Sequence, residues 1–583
     1  MVTNGPSQTA APAAPLGRPA FEPPLLLDRV AQEPDLSGTS RQDWADVIAN
    51  DPLDMSAELD RARDAIDWLV ALKLSKSATS IDANRLPNGP YVLVLDQPKS
   101  VDGAPPDTDM LEMLVFAQTE LLNAQVAVLC CADGYFTSHA DPRISLLPPE
   151  SNLYALLESA TAVYTHSAGF GADAIFAGHR PRVFGQPWYG GLGLSQDERP
   201  DPHATRRLTR AQLFHAAFMR ATQWHAGETA LEIEAVLARL ETRERALRED
   251  ASGYVASNIL RWKHGFLKSY LGRGGITVTD APEEIATEKA RGRRHLVWGN
   301  DPAADLRLED GFLRSRGLGA ALVRPLSLVL DDIGIYFDPT RPSRLEQMIA
   351  ERASLSPAQS RRIDTFLTRL RALNLSKYNV GTGVPPLPEG HRILVAGQVE
   401  DDASITLGAG EIASNRALLE AARAAHPQAV IVYKPHPDVE AGLRKGKLGD
   451  AEKRADVVAH EADPLALIEA CDEVWTMTSL IGFEALLRDR PVTCTGAPFY
   501  AGWGLTTDLG KVPARRGAHP TLLGLAHAVL IDYPRYFDPK TGAPLSPEEA
   551  LEYLSTAPQG RSRLTQALLA KLRQARAAFL GLS

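Results

Sequence analysis

The sequence predicts an α/β protein made of doubly wound parallel sheets, and two observations lead to this fold class. Short apolar runs typical of buried strands alternate with amphipathic helical patterns of about 10 to 15 residues, which favours parallel sheets. One such arrangement occurs twice along the chain, which indicates a duplicated domain. The 583 residues, of which 44% are hydrophobic and 23% charged, provide enough apolar side chains for several buried cores.

The charge balance and the cysteine count narrow the class of protein. Lys and Arg number 62 against 72 Asp and Glu, which gives a formal net charge of -10. Nucleic-acid-binding proteins usually carry a basic footprint, so we expect no nucleic acid partner. The four cysteines, two of them adjacent at Cys130 and Cys131, form neither a disulfide framework nor a metal motif, which predicts a reducing compartment. No apolar run approaches the roughly 18 residues of a spanning helix, and we expect a cytoplasmic protein.

The chain begins with a segment that reads differently from the rest. Residues 1–54 are predicted to form a disordered tail and lead-in, because the opening stretch is rich in Ala and Pro. This stretch also lacks the basic start and apolar run of a secretory signal. The first globular domain is therefore expected to start near residue 55.

The internal repeat defines the next domain and its later copy. Four pairs of strings match in order: LVALKLSKSATS with LRALNLSKYNVG, YVLVLDQ with HRILVAGQ, VYTHSAGFGADAIFAGHRP with VWTMTSLIGFEALLRDRP, and GQPWYGGLGL with GAPFYAGWGL. Their separation grows from roughly 301 to roughly 311 residues, which is far too long for a solenoid repeat. We assign one Rossmann-like copy to residues 55–230 and another to residues 381–545.

The second copy shows the alternation most clearly. Its predicted strands are HRILVAGQ, AVIVYKPHPD, VWTMTS and PVTCTG, and its helices are ASNRALLEAARAAHP, PLALIEACDE and GFEALLRDR. In such sheets, ligands bind beyond the carboxyl ends of the strands. The polar side chains that follow these strands should therefore converge on one crevice: Gln398, Asp401, Asp402, Ser404, Lys434, His436, Thr478 and Ser479.

Between the copies lie a predicted linker helix at residues 231–254, rich in Glu and Arg, and a further α/β domain at residues 255–380. This domain has expected strands at 294–299 and 306–311 and a strand pair at 326–338. A helix follows from about Ser356 to Leu373, with Pro357 at its first position. Two doubly wound domains facing each other across a cleft form the GT-B architecture, here with residues 255–380 as the N-terminal domain and residues 381–545 as the C-terminal nucleotide-sugar domain. The lone copy at 55–230 precedes them.

Two short motifs carry the chemistry of this cleft. Glu309 and Asp310 precede Gly311 at a strand end, where one carboxylate can act as base or nucleophile while the other tunes its charge and the glycine admits a ligand. Lys434 and His436 lie between prolines at the end of a buried strand and form a cationic acceptor for phosphate or carboxylate. Taken alone, the first motif is also typical of a solvated turn and the second of a loop histidine.

These motifs, and the strings EDGFLRSRGLG, RPLSLVLDDIGIYFD, GQVEDDASI, YKPHPDV, TMTSLIGFEALL and PFYAGWGLT, resemble the capsule polysaccharide β-Kdo transferases. The large members of that family have two complete transferase modules, for β-(2→4) and β-(2→7) linkages, and residues 255–545 resemble the C-terminal, β-(2→7) module. The resemblance implies a retaining enzyme that moves Kdo from CMP-β-Kdo to a Kdo-terminated, phosphatidylglycerol-type lipid acceptor. It implies that the enzyme acts at the inner membrane surface together with other capsule assembly proteins. CMP-Kdo is then the donor substrate, and we expect neither a cofactor nor a metal.

The resemblance also implies roles for individual residues. Asp310 is expected to be the catalytic carboxylate, with Glu309 as its partner, and His436 and Lys434 to hold the CMP phosphate or the Kdo carboxylate. Ser479 is expected to meet a phosphate at a helix start and Glu484 the ribose hydroxyls, although Glu484 also fits a helix-surface charge. The remaining expected donor contacts are Gln398, Asp402, Ser404 and Thr478. Arg314 and Ser315 are candidate substrate contacts.

The first copy departs from the family at these positions. It has VAVLCCADG where the second copy has VIVYKPHPD, so counterparts of Lys434 and His436 are missing. No facing domain with an acidic motif precedes it. The first copy is therefore expected to be inactive.

At the other end of the chain, residues 546–583 are predicted to form a basic amphipathic helix. Between residues 560 and 583 lie five Lys or Arg residues and no acid, with Leu564, Leu568 and Leu572 at helical spacing. Such a helix either packs on its own protein or attaches reversibly to an anionic membrane.

Two classes of function remain open from the sequence. One is the Kdo transferase, with a transferase for another CMP-activated ulosonic acid such as sialic acid as a variant. The other is a noncatalytic scaffold that binds Kdo oligomers. The complete acidic and His-Pro motifs favour the enzyme.

Overall fold

The computed structural model describes residues 24–74, 86–100, 104–121, 124–138, 141–200, 206–315, 323–377, 383–440, 442, 444 and 446–556. The chain divides into two compact units, Met1–Arg248 and Glu249–Ser583, called here the N-terminal and C-terminal units. The α/β fold with parallel sheets is confirmed. No helix in the described ranges has the length and apolar character needed to cross a bilayer.

The N-terminal unit contains two sheets. Its elements are α1 (Leu25–Ala31), β1 (Leu36–Ser40), α2 (Trp44–Asn50), α3 (Ser56–Leu72), β2 (Tyr91–Leu95), α4 (Asp107–Glu120), β3 (Gln125–Leu129), β4 (Ile144–Leu147), α5 (Leu153–Ser159), β5 (Ala160–Thr165), α6 (Phe170–Phe176), β6 (Arg182–Val183), β7 (Gln196–Asp197), α7 (Arg210–Phe214) with a π-helical turn (His215–Arg220), β8 (Thr222–Ala226), β9 (Thr229–Leu231) and α8 (Ile233–Asp250). Six strands form a parallel sheet in the order β4-β3-β2-β5-β6-β7, and β1-β8-β9 form an antiparallel sheet.

The C-terminal unit also contains two sheets. Its elements are β10 (Tyr254–Ser257), α9 (Arg261–Leu271), β11 (Ile276–Val278), α10 (Pro282–Ala290), β12 (Arg294–Trp298), β13 (Leu306–Asp310), β14 (Ser327–Asp331), α11 (Arg344–Glu351), α12 (Pro357–Ala372), β15 (Arg392–Ala396), α13 (Ala403–Gly408), α14 (Asn415–Ala425), β16 (Val430–Lys434), α15 (Pro437–Glu440), a 3-10 turn (Ala451–Lys453), β17 (Val457–Val458), α16 (Pro464–Ala470), β18 (Glu473–Thr476), α17 (Leu480–Leu486), β19 (Val492–Cys494), β20 (Thr507–Asp508), α18 (Leu522–His527) with a π-helical turn (Ala528–Asp532), β21 (Pro534–Phe537), β22 (Pro544–Leu545) and α19 (Pro547–Thr556).

The two sheets of the C-terminal unit are built differently. The first has the order β11-β10-β12-β13-β14-β21-β22, parallel through β13 and antiparallel from β14 onward. The second is fully parallel in the order β17-β16-β15-β18-β19-β20. Its central strands are buried apolar runs, as expected for strands covered by helices on both faces. The predicted helix at α12 is confirmed, with Ser356 and Gln359 forming a capping box.

The duplication extends further than the matching strings. The six-stranded sheets of the two units have the same order, strand for strand along the chain. The small sheet β1-β8-β9 has the position and antiparallel pairing of β14-β21-β22. Both units also carry a short helix that continues into a π-helical turn before the returning strand. The N-terminal unit is thus a trimmed copy of the whole module, and within its described residues no strands correspond to β10–β13.

A tyrosine–glycine contact explains part of the repeated sequence. The Tyr189 hydroxyl donates to the carbonyl of Ala168, and a Cβ on Gly171 would lie 1.8 Å from that hydroxyl oxygen. In the second copy, Tyr500 donates to the carbonyl of Ser479, and a Cβ on Gly482 would lie 2.3 Å from its hydroxyl. Each copy therefore needs both residues for the same close approach of helix and loop.

Several predicted boundaries differ from the structure. From Pro24 onward the expectation of disorder up to residue 54 is wrong, because α1, β1 and α2 lie there and Leu25, Leu26 and Val47 are buried. The expected linker helix is α8, whose apolar residues belong to the core of the N-terminal unit. Residues 534–545 form β21 and β22 of the first sheet rather than part of the nucleotide-sugar domain.

The expected strand pair at 326–338 is a single strand. β14 ends at Asp331, whose carboxylate accepts hydrogen bonds from the backbone of Ile333, Gly334 and Arg344. These bonds turn the chain out of the sheet, so the following apolar residues form a loop. Of the basic helix predicted at residues 546–583, residues 547–556 form α19, which contains three Glu and no Lys or Arg, and the basic stretch at residues 560–583 lies outside the described residues.

Candidate functional site

A cavity of about 570 Å³ lies between the two sheets of the C-terminal unit. Ten of the residues that the sequence assigns to catalysis or donor binding line it: Glu309, Asp310, Gln398, Asp402, Ser404, Lys434, His436, Thr478, Ser479 and Glu484. They come from the carboxyl end of β13 on one side and from segments that follow β15, β16 and β18 on the other. Parallel strands therefore deliver these side chains to one edge, as their topology requires.

The acidic wall consists of Glu309 and Asp310 at the end of β13. Asp310 Oδ2 accepts a hydrogen bond of 2.5 Å from Arg314 Nε, and this arginine is buried. Asp310 Oδ1 is buried and has no hydrogen-bond partner in the described part of the chain. The carboxylate is thus fixed through one oxygen, and the other oxygen has an unfilled acceptor position.

The environment of Glu309 raises the pKa of its carboxyl group. Burial and the adjacent charge of Asp310 raise the pKa of Glu309 to about 7, against the opposing effects of the Asp310 amide and of Lys263 and Lys377. Its Oε1 accepts a hydrogen bond from the Asp310 backbone. A carboxyl group with a pKa near neutrality can exchange a proton at physiological pH, which suits a general acid or base.

Lys263 completes the surroundings of the acidic pair. Its ammonium lies over the Trp298 ring, 2.9 Å from the ring centroid. Burial lowers the pKa of Lys263 to about 8, although the charges of Asp310 and Glu309 act in the opposite direction. Lys263 lies on α9, outside every motif in the sequence, so sequence reasoning missed it.

Three details of the acidic motif differ from the sequence expectations. Arg314 and Ser315, proposed as substrate contacts, are buried and do not line the cavity. Arg314 instead holds Asp310 from behind and donates to Ser315 Oγ. Gly311 serves packing rather than ligand approach, since a Cβ there would lie 2.2 Å from Ser327 Oγ.

A chain of hydrogen bonds fixes the polar groups opposite. Gln398 Nε2 donates to Thr478 Oγ1 and Gln398 Oε1 accepts from the Thr478 amide, each at 2.9 Å. Thr478 Oγ1 donates to Ser404 Oγ at 3.3 Å, and Ser404 Oγ donates to Asp402 at 2.8 Å. Asp401 departs from the group, because it is exposed and pairs with Arg444. The network orients four of the predicted donor contacts toward the cavity.

The wall opposite the acidic pair carries His436 and Lys434, which the sequence predicts to be a cationic acceptor. The Asp438 amide donates to His436 Nδ1 at 3.1 Å, so the neutral imidazole carries its proton on Nε2. Burial lowers the pKa of His436, with Lys434 adding to this effect and Asp438 opposing it. The Lys434 ammonium donates to Glu440 and to the Pro435 carbonyl, each at 2.9 Å. His436 is therefore a neutral donor, and the charge of Lys434 is paired.

The third segment of the site follows β18. Ser479 caps α17 by accepting from the Ile481 amide, which leaves its hydroxyl proton for a ligand. Glu484 accepts from the Lys377 amide at 3.0 Å, and burial raises its pKa. Lys377 and Ser376 also line the cavity. Their string LSK occurs in both copies of the repeat, and that signal could have identified them.

The equivalent positions in the N-terminal unit are changed. Gln97 keeps the geometry of Gln398, since its Oε1 accepts from the Ser167 amide at 2.9 Å. β3 ends in Leu129 where β16 ends in Lys434, and Cys131 stands in the place of His436. Asp173 occupies the position of Glu484, and it accepts from the amide of Leu25 on its own N-terminal segment. The copy has kept its frame, a glutamine and a carboxylate at the equivalent positions, and has lost the lysine and the histidine of the site.

Two doubly wound sheets that enclose a cavity with carboxylates on one wall and a histidine and lysine on the other define a GT-B-type, glycosyltransferase-like protein. Residues 123–225, 287–380 and 388–536 match the family described as capsule polysaccharide biosynthesis protein. The chain belongs to this family.

Two relatives are similar to different shares of this chain. The capsule polysaccharide modification protein LipA of Neisseria meningitidis serogroup B is 35% identical over 557 residues, which cover 87% of this chain and 78% of LipA. The lipopolysaccharide-processing protein LpsZ of Rhizobium meliloti is 44% identical over 264 residues, which cover 44% of this chain and 60% of LpsZ.

Two solved structures are also similar to part of the chain. They are the Thermosulfurimonas dismutans KpsC β-Kdo 2,4 transferase, at 32% identity with a TM-score of 0.45, and the KpsC β-Kdo 2,7 transferase, at 35% identity with a TM-score of 0.44. Each likeness covers 52% of this chain and 98% of the solved chain.

Proposed function

We propose that the C-terminal unit is a retaining β-Kdo glycosyltransferase that moves Kdo from CMP-β-Kdo to a Kdo-terminated, lipid-linked acceptor in capsule polysaccharide assembly. The observation that carries the proposal is the meeting of ten motif residues in one cavity, with the acidic pair facing the His-Pro motif. The donor is taken from the sequence resemblance, and membership of the capsule family supports the pathway. Work at the inner face of the membrane, with other capsule assembly proteins, belongs to the same proposal.

The proposed reaction is a double displacement. The Asp310 carboxylate attacks the anomeric carbon of Kdo, and the bond from that carbon to the phosphate oxygen breaks, so that CMP leaves with the electron pair. His436 donates its Nε2 proton as a hydrogen bond to the departing phosphate. The result is a covalent ester between Asp310 and the sugar.

In the second half, an acceptor hydroxyl attacks the same carbon from the face that CMP left. Glu309 takes the hydroxyl proton, the ester bond breaks, and Asp310 recovers its charge. Two displacements at one carbon restore the β configuration of the donor. The pKa of Glu309 near 7 suits a group that accepts a proton here.

A transfer assay tests the proposal. The purified chain is incubated with a synthetic Kdo-terminated acceptor and either CMP-Kdo, generated in situ, or CMP-sialic acid. We expect product with CMP-Kdo alone, and a loss of at least about a thousandfold in Asp310→Asn, since an amide cannot form the ester. Product with CMP-sialic acid alone would show that the donor substrate is CMP-sialic acid and not CMP-Kdo. Absence of product with both donors, together with binding of Kdo oligomers, would identify a scaffold.

A further inference from the structure

A second cluster of polar side chains lies on the fully parallel sheet of the C-terminal unit, at the edge opposite the cavity. His391 directly precedes β15, Glu473 is the first residue of β18, and His426 caps the C-terminus of α14. β15 and β18 are hydrogen-bonded neighbours, with Ile393 opposite Glu473. The cluster therefore lies at the amino ends of the strands, whereas the candidate active site lies at their carboxyl ends.

The donor atoms of these three side chains converge without hydrogen-bonding each other. His391 Nε2 and His426 Nε2 each lie 3.8 Å from Glu473 Oε2. All three ligand atoms lie within 4.8 Å of one another. A hydrogen bond between nitrogen and oxygen would need about 2.7 to 3.2 Å. Ligands of one tetrahedral zinc ion lie about 3.3 Å apart, given metal–ligand distances of about 2.0 to 2.1 Å. Metal binding would draw the ligand atoms, which lie up to 4.8 Å apart, to that spacing.

Side chains around the cluster orient Glu473 by hydrogen bonds and place a carboxylate behind His391. Glu473 Oε1 accepts from Trp475 Nε1 at 2.6 Å and from Thr493 Oγ1 at 2.8 Å, so only Oε2 is left toward the imidazoles. The Asp472 carboxylate lies 3.7 Å from His391 Nδ1, the ring nitrogen that faces away from Glu473. At 3.7 Å the carboxylate is too far away for a hydrogen bond, and it acts on the ring through its negative charge, which strengthens the imidazole as a ligand.

The packing also limits the movement of His426. Its ring meets the Trp475 ring edge-on, with centroids 5.7 Å apart, and its backbone amide donates to Ala422 at the end of α14. The side chain of His391 is 51% exposed and that of Glu473 is 15% exposed, so an ion can enter from solvent without unfolding the edge. Two imidazoles and one carboxylate form a ligand set suited to zinc and neighbouring transition metals, and less to calcium or magnesium.

We propose that His391, His426 and Glu473 bind one zinc ion, with water completing the coordination. The ion ties the end of α14 to β15 and β18 and steadies the sheet from the side away from the cavity. Sequence reasoning expected no metal, because the three ligands come from segments about 35 and 47 residues apart, with no short metal motif. This site is independent of the transferase proposal.

Zinc binding by the tag-free, chelator-treated full chain tests the site by equilibrium dialysis with metal analysis. We expect about one equivalent more zinc in the wild type than in the double variant His391→Gln/His426→Gln, and a weakening of at least about tenfold in each single variant. Asp472→Asn and Thr493→Val should weaken binding about tenfold through the supporting contacts. His519→Gln, an exposed histidine away from the cluster, is the matched control and should bind as the wild type.

Cobalt provides a second readout that requires no variant. Co²⁺ added to the wild type should give visible absorption of four- or five-coordinate nitrogen and oxygen ligation, which zinc then displaces. Equal zinc binding in the wild type and the double variant would overturn the proposal, as would a cobalt spectrum of the hydrated ion alone. A site that binds zinc in an inactive chain would uphold this inference while the transferase proposal fails.

Discussion

Replacing Glu309 by Gln should make the C-terminal unit more stable, and by an amount that depends on pH. Glu309 titrates near pH 7 in the folded protein against an ordinary value of 4.5, because it is buried beside the charge of Asp310. A carboxyl group with a raised pKa binds its proton more tightly in the folded state than in the unfolded chain. The charged form therefore destabilises the fold, with no penalty below about pH 4.5 and the whole penalty above about pH 7.

The size of the expected gain in the free energy of unfolding follows from the raised pKa of Glu309. A rise of about 2.5 pKa units corresponds to an upper limit of about 3.4 kcal/mol at about 1.36 kcal/mol per unit. The Gln amide oxygen can keep the hydrogen bond from the Asp310 amide, and its NH₂ group can donate to the Asp310 carboxylate, while the attraction to Lys263 is lost. We therefore expect a gain of about 1 to 3 kcal/mol in the free energy of unfolding above pH 7.

Thermal unfolding at pH 5 and pH 8.5 measures this difference. At pH 8.5 the Tm of Glu309→Gln should exceed that of the wild type by about 1 to 4 °C, and at pH 5 the difference should shrink toward zero. Glu411→Gln, at an exposed position, is the control for removing one negative charge. A lower Tm in Glu309→Gln at pH 8.5, or a shift of the same size at both pH values, would refute this electrostatic account of the acidic pair.

Three further outcomes follow from the geometry. The transferase kcat/KM for the Kdo-terminated acceptor should rise as pH increases through about 7, because Glu309 must lose its proton before it can accept one from the acceptor hydroxyl. A flat profile between pH 6 and 8 would exclude Glu309 as the base. Gln398→Ala should raise the KM for CMP-Kdo about tenfold or more by releasing Thr478, whereas its counterpart Gln97→Ala should leave that KM unchanged; equal effects would place the donor elsewhere. Arg535→Met should cost about 3 to 5 kcal/mol, because it strands the buried Asp250 carboxylate that it contacts at 2.6 and 2.9 Å, and denaturant unfolding should show partial recovery with Asp250→Asn added.

The parts of the site that the sequence predicts are those fixed by strand ends. Gln398, Lys434 and Thr478 each follow or end a recognisable buried strand, and parallel topology then brings them together. The acidic pair at the end of β13 follows by the same logic. Hydrophobic periodicity and parallel topology are thus sufficient to predict the site residues that lie at strand ends.

The remaining features depend on contacts between distant segments. Lys263 reaches the acidic pair from a helix with no motif, and Arg314 turns inward to hold Asp310. The return of β21 to pair with β14 joins residues about 200 positions apart, which no local pattern encodes. Asp331 ends β14 through side-chain hydrogen bonds, so an apolar string that reads as a strand becomes a loop.

The N-terminal unit also contains a contact that the sequence does not predict. Its sequence indicates a lost site, but the Leu25 amide bound to Asp173 is visible only in the structure. Burial raises the pKa of Asp173 to about 7, against the opposing hydrogen bonds from Leu25 and Tyr154. A short N-terminal helix thus covers the position that corresponds to Glu484 in the cavity of the other unit.

The configuration of the new glycosidic bond distinguishes a double displacement through Asp310 from a single displacement. NMR of the purified product of CMP-Kdo and the Kdo-terminated acceptor, made by the wild-type chain, reports the anomeric centre of the added sugar. We expect a β-linked Kdo, because two displacements through Asp310 retain the configuration of the donor. An α-linked product would contradict the role of Asp310 as nucleophile, and the absence of any transferred Kdo would contradict the assignment of the cavity as a Kdo transferase site.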